Sequence, residues 1–337
     1  MIRKIVNFIP INVRNMVPQK IRNAFNCRCN YLNILSQKFK FRLKRKRMIE
    51  DKYKRAINLE YDKYCDYMKW KDKEALKLPD EVDSLILPRL VLSVTNKCSL
   101  RCKDCNNLIP YFQNKRDIPV ESIITNIDKI FSIVDCCINV EIIGGEPFLY
   151  KNLGIVLKHL VQLPQVYSVE ITTNGTVIPT DEVVEVLKND KIYVSLSNYE
   201  AVNEEKKMNF KKCMKENAVK IQILDMGNWI DSGNVEKRNR NRNELRWQYY
   251  KCYSSMNCKT FWDGKLFACG RAPALYELCS LTDESSYFDF ENISTEEERN
   301  LIKKNLKEFY LSDYAECCDY CDYAVYPMKI IKGGVQL

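Results

Sequence analysis

The stretch "TNKCSLRCKDCNN", residues 95–107, sets Cys98, Cys102 and Cys105 in the spacing CxxxCxxC. Just ahead of it, "RLVLSVT" (89–95) is a β-branched apolar run that reads as a strand. The thiols therefore gather where a buried strand emerges at the rim of a sheet. Three thiolates are one short of a closed tetrahedral zinc site, and Asn106 and Asn107 are poor fourth ligands. On a four-iron cluster, three protein thiolates leave one iron open to a chelating small molecule.

Composition points the same way. The chain has 337 residues, with sixteen cysteines and a single histidine. That histidine, His159 in "IVLKHLVQL", reads as a core or boundary residue of a helix. With one histidine, Ser-His-Asp triads, HExxH sites and mixed Cys/His zinc sites are poor explanations. Soft, sulfur-held centres remain, either all-cysteine zinc or iron–sulfur clusters. The N-terminal sequence has no apolar run near the roughly 20 residues that span a bilayer. The reading is a reducing cytoplasm, where clustered cysteines hold metal.

Charge is uneven. Residues 1–50 carry 13 Lys/Arg and one acid, a net of +12 against +9 for the whole chain, so residues 51–337 sum to −3. The basic arm ends in "KFKFRLKRKRM" (38–48). It fits peripheral contact with the inner face of the cell membrane, or a solvated or partner-docking helix, better than it fits nucleic acid.

After a charged helical stretch at 48–78, strands and helices alternate. Strands are expected at 89–95, 138–147, 166–176, 192–198 and 219–224, with helices at 118–134, 151–163, 181–188 and 202–215. The strand runs look apolar enough for burial on both faces, the mark of a parallel sheet. The cysteine loop, GGEP, TTNGT and SLSN all follow strand ends, which favours a closed or partly closed βα barrel over an open sheet. Past residue 225 the alternation stops. "NVEKRNRNRNELRWQ" (234–248) reads as a linker or loop, and "KTFWDGKLFAC" (259–269) as a hairpin turning at Asp263-Gly264. The expected division is a basic helical extension (1–85), a core (86–233) and a cysteine-rich unit (234–337).

These motifs, in this order, resemble the radical SAM superfamily. The resemblance implies an α/β fold, a partial (β/α)6 barrel whose first loop holds a [4Fe–4S] cluster through Cys98, Cys102 and Cys105. S-adenosylmethionine would chelate the open iron and yield a 5′-deoxyadenosyl radical that takes hydrogen from a substrate C–H bond. Gly144, Gly145, Glu146 and Pro147 match the family's GGEP, with the Glu146 carboxylate suited to the methionine ammonium. Ser195 and Ser197 would lie toward the ribose, and Thr173 and Asn174 would face the same cavity. One departure is Asp104, where the family often has an aromatic residue.

A second cysteine set resembles the auxiliary domains called SPASM and twitch. Cys252 is followed by the hairpin and Cys269, then by a late CxxC at Cys318 and Cys321. The resemblance implies one further [4Fe–4S] cluster in a twitch-like domain. Cys269, Cys318 and Cys321 are its expected ligands, with either Cys252 or Cys258 as the fourth, and a thiolate zinc site as the alternative. Cys136, Cys137 and Cys213 read as packing residues.

A second cluster near a substrate radical can accept its electron. The favoured reaction is therefore oxidation of a saccharide or sugar alcohol, in surface-polysaccharide synthesis, with flavodoxin or ferredoxin as the reducing partner. Radical epimerisation with a cysteine hydrogen donor, peptide modification of the sulfatase-maturing kind, and a non-catalytic electron-transfer role are the alternatives. "KRNRNR" (237–242) reads as a solvated loop or as a holder of a substrate phosphate or carboxylate.

Overall fold

The computed structural model describes residues 85–337 except 88, 201, 291–294, 313 and 326. The basic arm and the 48–78 stretch lie outside the described residues. Residues 87–337 form one compact unit. Among the described residues no helix is long and apolar enough to cross a membrane.

The expected alternation is present as β1 (Leu90–Ser93), α1 (Val120–Ile133), β2 (Cys136–Ile143), α2 (Leu153–Gln162), β3 (Val166–Thr173), α3 (Asp181–Leu187), β4 (Ile192–Asn198), α4 (Glu204–Glu216) and β5 (Ile221–Asp225). Strands β1 to β5 are parallel neighbours in chain order. One set of alternating strand residues, such as Leu90, Leu92, Val140, Ile142, Val169, Ile171, Val194 and Leu196, is almost wholly buried. So are the apolar rows of the helices, including Ile127 and Ile130 of α1, Leu153 and Leu157 of α2, and Phe210 and Met214 of α4. Burying these rows against one another makes the core, at about 25 cal/mol per Å² of apolar surface.

The other strand face is not apolar, contrary to the expected burial on both sides. It carries a charged network in which Arg89 bonds to Glu141 and Glu170 at 2.9 Å each. Thr172 donates to Glu141 at 2.6 Å and Tyr193 to Glu170 at 2.9 Å. Polar residues at every second position of β2, β3 and β4 give this face.

Beyond β5 come β6 (Asn228–Ile230), α5 (Arg242–Lys251), α6 (Tyr253–Asn257), β7 (Thr260–Trp262), β8 (Lys265–Phe267), α7 (Ala272–Cys279), β9 (Tyr287–Asp289), α8 (Glu296–Leu311) and β10 (Ile330–Lys332). The expected linker at 234–248 is half helix. Asn241 and Glu244 form a capping box that starts α5. The hairpin β7–β8 turns at Asp263 and Gly264, with φ of 48° and 86°. Two successive positive φ values are what a two-residue turn needs to match strand twist. Strand β7 also pairs in parallel with β1. The sheet order is β9-β8-β7-β1-β2-β3-β4-β5. Its sixth parallel strand thus joins beside β1 and not beyond β5, and the sheet does not close among the described residues.

Candidate cluster and cofactor sites

The cysteine loop leaves β1 and is fastened from three sides. The backbone N–H groups of Gly145 and Glu146 donate to the carbonyls of Thr95 and Lys97, both at 2.8 Å. A Cβ on Gly144 would stand 2.5 Å from the Thr95 oxygen, and one on Gly145 would stand 2.1 Å from that of Lys97. Both glycines are thus required by close approach to the loop itself. Thr95 Oγ1 donates to Asp117 at 2.6 Å, and Lys97 pairs with Asp117 at 2.8 Å. On the third side the C-terminal segment lies across the loop. Lys103 N donates to Val335 O, and Leu337 N to Arg101 O, both at 2.8 Å.

Each thiol of this loop has N–H donors near it. Cys98 Sγ accepts from Leu100 N at 3.4 Å and lies 3.7 Å from Asn174 Nδ2. Cys102 Sγ accepts from Gln336 Nε2 at 3.3 Å. Burial pushes the Cys98 thiol up to about 12, and Glu146, Cys105 and Cys102 push further in that direction. Burial raises Cys105 too, opposed by the N–H groups of Ile109 and Asn107 and by Arg271. Such thiols ionise when a metal supplies the missing positive charge. Sulfur ligands, N–H donors and raised thiols together fit an iron–sulfur cluster.

Glu146 is 0% exposed. Its Oε1 accepts from Thr173 Oγ1 at 2.8 Å and from Phe148 N at 3.2 Å, and its Oε2 accepts from Asn174 N at 2.9 Å. The carboxylate therefore staples the GGEP turn to the end of β3. Burial raises it to about 7 against those three hydrogen bonds. Pro147 starts a single 3-10 turn behind it. Ser195 points away from the rim, donating to Glu170 and accepting from Gln222 Nε2 at 2.6 Å. Ser197 is bonded instead to Tyr199, a phenol raised by burial and by Cys102, Cys105 and Cys98. Tyr199 and Gln336 are site residues that the motifs do not point to.

The second cysteine set encloses a cavity of about 380 Å³, counting its mouth, lined by Cys252, Cys269, Cys317, Cys318 and Cys321. Cys258 does not line it. That thiol sits just before β7, in electrostatic reach of Glu141 and Arg89 on the polar sheet face, and burial pushes it up to about 12. Cys279, at the end of α7, faces Val235 O at 3.7 Å.

Two buried cations flank the cavity. Lys259, 1% exposed, bonds to Tyr249 and lies 5.0 Å from the rings of Tyr249 and Phe309. Burial lowers it to about 8, opposed by Cys269, Cys317, Cys318 and Cys252. Arg271, 2% exposed, donates to Gly233 O at 2.8 Å, Asn234 O at 3.0 Å and Asn106 O at 3.3 Å. Its Nε, and Oε1 of the cavity-lining Gln248, are buried without a partner.

The "KRNRNR" segment exposes Lys237, Asn239, Asn241 and Arg242 but turns Arg238 and Arg240 inward. Arg240 donates to the carbonyls of Cys318 and Cys321 at 3.1 and 2.9 Å, and Arg238 pairs with Asp322 at 2.7 Å. Backbone N–H groups of Asn239 and Arg240 bind the buried Asp319 at 3.1 and 2.8 Å. The segment clamps the late cysteine turn. Among the described residues no three His, Cys, Asp or Glu side chains converge as they would around a single metal ion.

Residues 92–221 match the family model described as the radical SAM superfamily. A GTP 3',8-cyclase of Clostridium perfringens is 27% identical over 113 residues, 32% of this chain and 33% of that one. A GTP 3',8-cyclase of Campylobacter jejuni is 33% identical over 92 residues, 26% of this chain and 27% of that one. The match thus spans about a third of the length of these relatives. Among solved structures, BtrN in complex with AdoMet and 2-DOIA is 13% identical, with a TM-score of 0.43 over 72% of this chain and 94% of that one. Streptococcus suis SuiB bound to precursor peptide SuiA is 22% identical, with a TM-score of 0.34 over 41% and 32%. Residues 92–221 are thus a radical SAM domain, the domain of a superfamily whose members use a [4Fe–4S] cluster and S-adenosylmethionine.

Proposed function

We propose that this is a radical SAM enzyme with two clusters, which oxidises a hydroxylated small molecule such as a saccharide or sugar alcohol. The observation that carries the reading is the second cavity, in which clustered thiols stand between two buried cations. Burial alone penalises thiolates. Iron would keep them ionised, and Lys259 and Arg271 would offset the net negative charge of a thiolate-ligated cluster. Cys252, Cys269, Cys318 and Cys321 would hold it.

When bound, the first cluster with S-adenosylmethionine supplies the hydrogen-abstracting radical, and the second supplies an electron acceptor. The chain's own part is to grip the cysteine loop through Thr95, Asp117 and the GGEP turn. It also offers a substrate the polar side chains of Tyr193 and Gln222 in place of an apolar wall. Anaerobic turnover with a panel of sugars and aminocyclitols is the test. One S-adenosylmethionine should be consumed per product two hydrogens lighter. A product of unchanged mass would sink the oxidation reading.

Cys258 supports a second reading, epimerisation. It stands outside the cavity and near the polar face, and its raised pKa keeps the S–H hydrogen in place at neutral pH. In deuterated water, an epimerase would leave deuterium on the inverted carbon, and Cys258→Ala would abolish that label. No label in the wild type removes this reading.

A further inference from the structure

Arg271 occupies an unusual place. It follows the hairpin cysteine by two residues and lines the second cavity, yet its Nη1 donates to Asn106 O, one residue beyond Cys105. Gly270 next to it packs on the same strip, since a Cβ there would stand 3.0 Å from Asn107 Oδ1. Three carbonyls fix the two terminal nitrogens, on the 233–234 turn and on the first cysteine loop. The remaining donor, Nε–H, is buried and unpartnered. A buried donor left without an acceptor is costly, so an occupant of the cavity is the natural acceptor.

We propose that Arg271 is a positioning residue that couples the two cysteine sites, holding the end of the first loop while its Nε–H and charge stabilise the reduced state of the cluster in the second cavity. This rests on the two-cluster reading above. Its guanidinium reaches both sets, bonding to the carbonyl one residue beyond Cys105 and lining the same cavity as Cys321. Lys259 offers an internal contrast. It is as deeply buried, and it bonds to Tyr249, which lines the second cavity. Loss of Arg271 should therefore move both clusters, whereas loss of Lys259 should move one.

The test is a redox titration followed by electron paramagnetic resonance on the reconstituted wild type, Arg271→Gln, Arg271→Lys and Lys259→Met, with iron counted in each. In Arg271→Gln the second cluster's one-electron reduction should become at least about tenfold less favourable, a fall of about 59 mV. The first should fall by less, and Arg271→Lys should restore most of both. Lys259→Met should lower the second potential alone. Unchanged potentials in a fully loaded Arg271→Gln overturn the inference and leave the two-cluster reading standing. About four irons in the wild type, where two such clusters need about eight, would remove both. Should Arg271→Gln fail to assemble, ¹⁵N-arginine labelling of the wild type decides. A nitrogen coupling on the reduced second cluster that survives in Arg240→Lys supports the inference, and its absence overturns it.

Discussion

The two cysteine sites solve the same problem with opposite surroundings. In the first, the thiols meet neutral donors, namely Leu100 N, Asn174 Nδ2 and Gln336 Nε2, a buried carboxylate, Glu146, stands nearby, and Arg271 touches the loop only at the Asn106 carbonyl. The first-site cation Lys115 is exposed and therefore screened. In the second, Lys259 and Arg271 are both buried against the thiols. Positive charge favours the more reduced, more negative state of a cluster, and a carboxylate disfavours it. On the two-cluster proposal, the first site would be suited to giving up an electron and the second to receiving one. Position along the sheet does not produce this contrast, because β1 and β7 are adjacent strands. The side chains around each loop do.

The sharpest way to break the contrast is to remove the first thiols together. Cys98→Ala with Cys102→Ala and Cys105→Ala should abolish S-adenosylmethionine cleavage while leaving about four irons per chain on the other site. Cleavage at the wild-type rate would show that the loop is not the radical site.

Glu146→Ala tests the staple. It strands three donors, those of Thr173, Asn174 and Phe148, in a buried place, at about 1–3 kcal/mol for each one left unsatisfied. Thermal unfolding should drop accordingly, with Glu146→Gln much milder. A Glu146→Ala protein of wild-type stability but lost S-adenosylmethionine affinity would return the carboxylate to direct ligand contact. The same residue carries a pH signature. Its folded pKa of about 7 lies above the ordinary 4.5. Between those values the folded state binds more protons than the unfolded. Its contribution to stability therefore falls as pH rises through that window, with a slope of about 1.4 kcal/mol per pH unit. Metal-free wild type should lose stability relative to Glu146→Gln from pH 4.5 to 7 and run parallel to it above. A constant difference across that range would place the titration elsewhere.

On the second site, Arg240→Ala removes the clamp on the Cys318 and Cys321 carbonyls. Hydrogen bonds from a charged group contribute about 1.5–3 kcal/mol, so stability should fall by that order and chelators should strip the second cluster faster. Equal stripping rates would make the clamp incidental. The smallest expected effect is at Gln336→Ala, which deletes one neutral donor to Cys102 Sγ. It should lower the first potential by less than Arg271→Gln lowers the second. A larger fall would reverse the ranking of the two environments.

Much of this was legible in the sequence, and the misses share a physical cause. CxxxCxxC, GGEP and the TTNGT motif carry their meaning in local spacing and come together around one loop, whereas Ser195 of SLSN turns to Glu170. The Asp263-Gly264 turn was readable because few residues accept two positive φ values. The polar face of the sheet was missed because single residues such as Glu141 and Glu170 within apolar runs do not disturb a hydrophobicity pattern. Gln336 reaches Cys102 across 234 residues, and Arg240 reaches Cys321 across 81, separations that no local pattern encodes. The different surroundings of Cys252 and Cys258 rest on a similar distant fact. The packing of β7 beside β1 brings Cys258 within reach of Arg89 and Glu141, while Cys252 lines the cavity.

Iron and sulfide counting, with Mössbauer spectra, on reconstituted wild type and on Cys269→Ala/Cys321→Ala tests the two-site account most directly. Two cube clusters predict about eight irons in the wild type and about four in the variant, with S-adenosylmethionine still bound by the remaining cluster. About four irons in both proteins would contradict it.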